Sequence, residues 1–206
     1  IGTICDVILI IYLFKGDVKA IVPGYMKDEY NISEEEVENR PVYTITPKNG
    51  VTNELVIMYV HGGSYVGNLE KEHWKTCSDI INQLGCTIIV PDYPLTPKYN
   101  YKDTISMMET LYKQLIEKID PSNFIVMGDS AGGGLSLALL EKVGEENIQM
   151  PNQTILISPW LDVRLNNPEI EEVEPNDPEL NKSALKIAGE NYAGKDGIDS
   201  YLVNPI

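Results

Sequence analysis

Two features of the 206-residue sequence predict an α/β fold with a mostly parallel sheet covered by helices on both faces. Short apolar runs at 54–60, 86–90, 124–127 and 153–158 alternate with longer helix-period segments, the order expected of strand–helix–strand units. The runs are continuously apolar rather than alternating, as strands buried on both faces require.

Taken in order, residues 1–40 read as a helical cap segment and 41–206 as the core. Val7 to Phe14 is an uninterrupted apolar run, shorter than the ~20 residues of a membrane-spanning helix. It reads as a buried helix or pocket lid, with membrane contact the lesser reading. Ser33 and Glu36 fit a capping box, which places a helix start there. From Pro41 the period changes: Val42 to Thr46 alternates with β-branched content, and Pro47-Lys48-Asn49-Gly50 is turn chemistry. Glu54 to Val60 is a strand, Glu70 to Leu84 a helix with Gly85 as its stop, and Cys86 to Val90 a further strand. A proline-punctuated loop then leads to a helix over Tyr101 to Lys118. After the strand at 124–127 and a Leu/Ala-rich helix, Gln153 to Ser158 supplies one more strand. Residues 163–181, acidic and proline-interrupted with no apolar period, read as a solvated surface excursion, and Ser183 to Tyr192 as a short helix.

Composition bounds the partners. With 16 basic against 31 acidic residues the formal charge is −15, which argues against nucleic acid and anionic membrane surfaces. Three cysteines, Cys5, Cys77 and Cys86, are odd in number and lack ligand spacing, so neither a disulfide framework nor a zinc site is indicated. A reducing, cytoplasmic setting is the expectation, with no metal or cofactor. The oligomeric state leaves no signal.

Chemistry concentrates at Gly128-Asp129-Ser130-Ala131-Gly132, a G-x-S-x-G sequence between a buried strand and a helix. A serine hydroxyl is a weak nucleophile until geometry and a base assist it, and a tight strand-to-helix turn holds Oγ out into a pocket. The amide of Ala131, at a helix N-terminus, can face a developing oxyanion. A plain glycine turn is the competing reading, whereas a phosphate loop lacks its spacing here. Three consecutive glycines, Gly132 to Gly134, each lose about 1 kcal/mol against alanine in a helix, so close backbone approach explains them better than propensity.

A second glycine pair follows the 54–60 strand in His61-Gly62-Gly63-Ser64-Tyr65. Loops at that end of an open α/β sheet are where ligands bind, and adjacent glycines let backbone amides point into a pocket as further oxyanion donors. Together with Pro91-Asp92-Tyr93-Pro94-Leu95-Thr96-Pro97 and Ser158-Pro159-Trp160, these residues resemble the hormone-sensitive-lipase-like esterases of the α/β-hydrolase fold, in order and spacing from about Glu54 to Asp162. The resemblance implies Ser130 as nucleophile, an oxyanion hole from the amides of Gly62, Gly63, Ser64 and Ala131, and an N-terminal cap over the acyl pocket. Two positions depart from it: Ser64 stands at the family's third glycine, and Pro94 at an arginine whose ion pair would brace the loop. Asp129, on a sharp turn beside the nucleophile, reads as a structural hydrogen-bonding residue.

The base is the gap. In this fold the order is Ser, then Asp or Glu, then His, but the only histidines, His61 and His73, both precede Ser130. His61 reads as a brace of the oxyanion loop and His73 as a surface or packing residue. Asp162 and Asp177 follow the serine, and neither sits where the resemblance would place the acid. The expectation is a chain that stops before the catalytic acid and histidine and is inactive alone. The leading reading is a serine carboxylesterase acting on small or short-chain esters; the other is a non-catalytic ligand- or partner-binding protein of the same fold.

Overall fold

The computed structural model describes residues 18–205, so the Val7–Phe14 run and Cys5 lie outside the described residues. Its centre is a six-stranded sheet in the order β1-β2-β4-β3-β5-β6. The strands are β1 Tyr30–Val37, β2 Arg40–Pro47, β3 Val56–Val60, β4 Thr87–Pro91, β5 Phe124–Asp129 and β6 Gln153–Ile157. From β4 to β6 the pairing is parallel, while β1 and β2 join antiparallel on one side. The helices are α1 Gly24–Glu29, α2 Lys71–Leu84, α3 Tyr101–Ile116, α4 Ser130–Glu145, α5 Ile170–Val173 and α6 Lys182–Ala193.

Period-two alternation divides the core between the two faces. Met58, Val60, Phe124 and Val126 pack with residues of α3 and α4, including Met108, Leu111, Leu135 and Leu139. Ile57, Tyr59, Ile125 and Met127 point the other way and meet Trp74, Cys77 and Ile81 of α2. Continuous apolar strands are the result of this double burial, as the sequence predicts. Gly85 ends α2 in the left-handed region at φ 63°, a conformation that glycine enters without a Cβ penalty.

The segment around Ser33 corrects the sequence reading. Ser33 to Glu36 is not a helix start but lies within β1, paired antiparallel with β2 residue by residue. The connection is a two-residue turn, Glu38 and Asn39, with φ 49° and 63°. Positive φ at both central positions matches the right-handed twist of a hairpin. Glu34, Glu35 and Glu36 are exposed along β1, at the sheet's outer rim, where charge discourages pairing with another chain. At the opposite rim β6 has no further strand beside it among the described residues, and its Ile155 and Ile157 are 40% and 43% exposed.

The topology places the site. β3 leads to β4 on one side and is flanked by β5 on the other, so the strand order reverses at β3. Crevices at such a switch point, beyond the carboxyl ends of the strands, are where this architecture binds ligands. The ends of β3, β4, β5 and β6 deliver His61, Asp92, Ser130 and Ser158 respectively.

Candidate active site

Ser130 stands at the junction of β5 and α4 with φ 49°, a strained conformation for a non-glycine residue that functional turns retain. The strain is possible because the helix start sits hard against β3. A Cβ on Gly132 would lie 2.1 Å from the Val60 carbonyl oxygen and 2.4 Å from that of His61. Close backbone approach therefore accounts for this glycine. The Ser130 carbonyl accepts from the Trp160 amide at 2.8 Å, tying the elbow to the loop after β6.

Ser130 opens onto a cavity of about 260 Å³ lined by Pro159, Trp160, Leu165, Ile170, Val173 and Leu185, with Glu174, Asp177 and Lys182 also on its wall. Most of this wall comes from residues 163–185. The reading of 163–181 as a surface excursion is thus incomplete, because Leu165, Ile170, Val173 and Leu180, together with Glu174 and Asp177, line the cavity beside Ser130. The segment is held by local bonds: Asp177 accepts from the Glu179 and Leu180 amides at 2.8 Å each, Glu174 from the Lys182 amide at 2.6 Å, and Lys182 pairs with Glu171.

Several polar groups of the His61–Ser64 loop have defined partners. The Tyr93 hydroxyl donates to the His61 carbonyl at 2.7 Å, and the two rings stack with centroids 4.3 Å apart. His61 Nδ1 lies 2.7 Å from the Gly62 carbonyl oxygen, which only a protonated Nδ1 can satisfy. The Gly63 carbonyl accepts from the Val66 and Gly67 amides at 3.0 and 2.7 Å. The Gly62 amide donates to Asp129 Oδ1 at 3.1 Å. Gly62 is therefore engaged, which removes it from the expected oxyanion donors. Among the described residues the Gly63 and Ser64 amides have no protein acceptor, and Ala131, in the first turn of α4, has no intrahelical acceptor.

Asp129 fills the structural role expected of it. Its Oδ1 also accepts from the Tyr59 hydroxyl at 2.6 Å, and burial together with this bond pushes the Tyr59 phenol well above its ordinary range. Its Oδ2 lies 3.9 Å from His73 Nε2. His73 accepts from the Glu70 amide through Nδ1 at 2.9 Å, so in the neutral ring the proton sits on Nε2 and faces Asp129.

Neither histidine reaches the nucleophile: among the described residues no hydrogen bond joins Ser130 to His61 or His73, and neither ring lines the cavity. His61 is fully buried, and burial, with His73 nearby, lowers its pKa to about 3. Asp162 accepts from Arg164 Nε at 2.7 Å and from the Arg164 amide at 3.1 Å. Burial opposes ionisation there, but these bonds outweigh it and hold the carboxyl below the usual range. Asp177 is likewise held down by backbone amides. Neither carboxyl meets a histidine.

Sequence reasoning missed Arg40. Pro94 leaves the Asp92-Tyr93 loop without an arginine of its own, and Arg40 from β2 braces it instead. Its Nε donates to the Asp92 carbonyl and its Nη2 to Asp92 Oδ1, both at 2.7 Å, with Nη2 also 3.3 Å from the Tyr93 carbonyl. Both side chains are buried. The available signal was that Arg40 is one of two arginines in the sequence, since a planar fork of donors suits a buried carboxylate better than lysine.

The geometry agrees with comparison to known proteins. A family model described as the alpha/beta hydrolase fold matches residues 57–206. An esterase of Acinetobacter venetianus is 30% identical over 142 residues, 68% of this chain and 47% of the relative. A triacylglycerol lipase of Mycobacterium tuberculosis is 37% identical over 123 residues, 59% of this chain and 28% of the relative. The chain thus spans half or less of the length of these relatives. A solved esterase of the bacterial hormone-sensitive lipase family shares the fold with a TM-score of 0.80 at 24% identity, over 100% of this chain and 74% of that one. Among the described residues no helix is long and apolar enough to cross a membrane. The chain belongs to the α/β-hydrolase-fold family, among relatives named as esterases and lipases.

Proposed function

We propose that this chain carries the nucleophile and oxyanion hole of a serine carboxylesterase for short-chain esters. The observation that carries the reading is that Ser130, held in a left-handed elbow, opens onto an apolar cavity, while the Gly63, Ser64 and Ala131 amides are left without protein acceptors nearby. In the reaction Ser130 Oγ attacks the ester carbonyl as a general base takes its proton, and the carbonyl oxygen becomes an oxyanion received by those three amides. Collapse expels the alcohol and leaves an acyl group on Ser130, which water then removes. The cavity of about 260 Å³ favours a short acyl or alcohol group, being smaller than the ~300–1,000 Å³ of sites for drug-sized ligands. The N-terminal segment as a cap belongs to the same proposal.

The test is hydrolysis of p-nitrophenyl butyrate by the protein in its full length and by the Ser130→Ala variant of that same protein. The expected result is loss of turnover in the variant; equal rates would remove Ser130 from the mechanism. The 206-residue chain alone is expected to hydrolyse near background, because no histidine of the described residues reaches Ser130, and loss of the base costs several orders of magnitude even with the oxyanion hole intact.

A further inference from the structure

Asp129 is more engaged than a residue that merely flanks a nucleophile. It precedes α4 at the cap position, yet its carboxyl makes no cap bond with that helix. The side chain turns back toward β3, where Oδ1 takes both the Tyr59 hydroxyl at 2.6 Å and the Gly62 amide at 3.1 Å. The fit around it is tight: a Cβ built on Gly62 would meet Asp129 Oδ2 at 2.3 Å. A loop residue and the residue before the nucleophile are thereby joined directly, across 67 positions of sequence.

We propose that Asp129 is the positioning residue of the oxyanion loop: by holding the Gly62 amide it turns the following amides, Gly63 and Ser64, toward the oxygen that Ser130 generates. The proposal rests on the esterase reading for its consequence, although the Asp129–Gly62 bond can be tested without it. The remaining bonds of the loop fix carbonyl groups, His61 through Tyr93, Gly62 through the His61 ring, and Gly63 through Val66 and Gly67. Asp129 instead fixes an amide of the loop, that of Gly62. A peptide held through both its amide and the neighbouring carbonyls cannot rotate about its own axis, and peptide rotation is the motion that would carry the next N–H groups away from Ser130. Asp129 touches no reacting atom and acts through Gly62.

Two readouts test this. In the 206-residue protein, amide hydrogen exchange of Gly62 by NMR should quicken about tenfold or more in Asp129→Ala, equivalent to about 1.4 kcal/mol for the lost bond. In Asp129→Asn one carbonyl oxygen remains to serve both Tyr59 and Gly62, so exchange should fall between the two. The second readout is binding of n-butylboronic acid, in which Ser130 Oγ bonds to boron, its proton goes to water and the boron becomes tetrahedral and anionic. Its affinity should drop about tenfold or more in Asp129→Ala and recover in large part in Asp129→Asn, while butanol, which occupies the cavity without forming the adduct, should bind all three proteins alike. Gly62 exchange unchanged in Asp129→Ala, or boronate and butanol affinities falling together, would overturn the proposal. Should Asp129→Ala fail to fold, Asp129→Asn carries both readouts, and wild-type exchange at Gly62 in that variant together with a lost boronate affinity would refute it. A wild-type protein whose boronate binding survives Ser130→Ala would sink the esterase reading and leave the Gly62 measurement standing.

Discussion

Replacing Arg40 by alanine removes bonds from a buried site, among them two to Asp92 and one to the Tyr93 carbonyl. The side chain of Asp92 is 0% exposed, and its Oδ2 accepts from the Ala20 amide at 2.8 Å. Breaking one partner of a buried pair typically destabilises by about 3–5 kcal/mol, because the other charge stays out of water. The separate bonds are not additive, so the pair figure is the one to use. For a chain of this size about 2–4 °C accompanies each kcal/mol, giving a fall in Tm of about 6–20 °C. Urea unfolding followed by circular dichroism would measure it, with an unchanged m-value indicating that only stability has moved. Arg40→Lys should recover little, since an ammonium cannot serve Nε and Nη2 positions together. The double variant Arg40→Met/Asp92→Leu should lose less than the two single changes combined, with a coupling of about 1–3 kcal/mol. A loss under about 1 kcal/mol in Arg40→Ala, full rescue by lysine, or strict additivity would each refute the brace.

Three other outcomes are expected. Stability should depend on His61 below neutrality: its folded pKa of about 3 lies under the ordinary 6.5, so the unfolded chain alone takes the proton between them. The contribution is whole above pH 6.5 and declines as pH falls toward 3, by up to about 1.4 kcal/mol per unit. Denaturation between pH 6.5 and 4.5, before most carboxyls titrate, would measure that slope, and a resonance assigned to the His61 imidazole and titrating near 6.5 in the folded protein would contradict it. Gly132→Ala should destabilise by at least about 1–3 kcal/mol, because the new Cβ meets the Val60 and His61 carbonyls rather than a flexible side chain; a wild-type Tm would show that the elbow can yield. Leu185→Trp in the protein's full length, narrowing the cavity, should reduce kcat/KM for butyryl relative to acetyl esters by about tenfold, and an unchanged ratio would place the substrate elsewhere.

The parallel strands and the elbow were legible because each rests on a local pattern. A double-buried strand is continuously apolar, and a nucleophile turn carries its own glycines. The β1–β2 hairpin was hidden by its position at the rim, where the outward residues Glu34 to Glu36 imitate the acidic start of a helix, and by a turn that puts Glu38 and Asn39 at positive φ without a glycine. The cavity wall escaped notice for a different reason. Leu165, Ile170, Val173, Leu180 and Leu185 converge on a hollow from a loop and short helices, so their spacing follows neither helix nor strand period. Arg40 and Asp129 act across long sequence separations, 52 positions to Asp92 and 67 to Gly62, which no local pattern encodes. The same limit explains why Gly62 reads as an oxyanion donor until its amide is seen on Asp129.

The unequal rims of the sheet bear on how the molecule behaves in salt. Copies carrying a formal charge of −15 repel one another, and that repulsion reaches about 30 Å at 0.01 M salt but only about 3 Å at 1 M. The β1 rim adds its own local glutamates, whereas in the 206-residue chain the β6 rim has, among the described residues, no neighbouring strand and carries half-exposed isoleucines with no charge within the strand. Added salt therefore lifts the general barrier while leaving the adhesive rim untouched. Encounters through β6 become more frequent as ionic strength rises, the reverse of complexes that charge attraction assembles. Handling at low ionic strength follows as the condition that keeps copies apart.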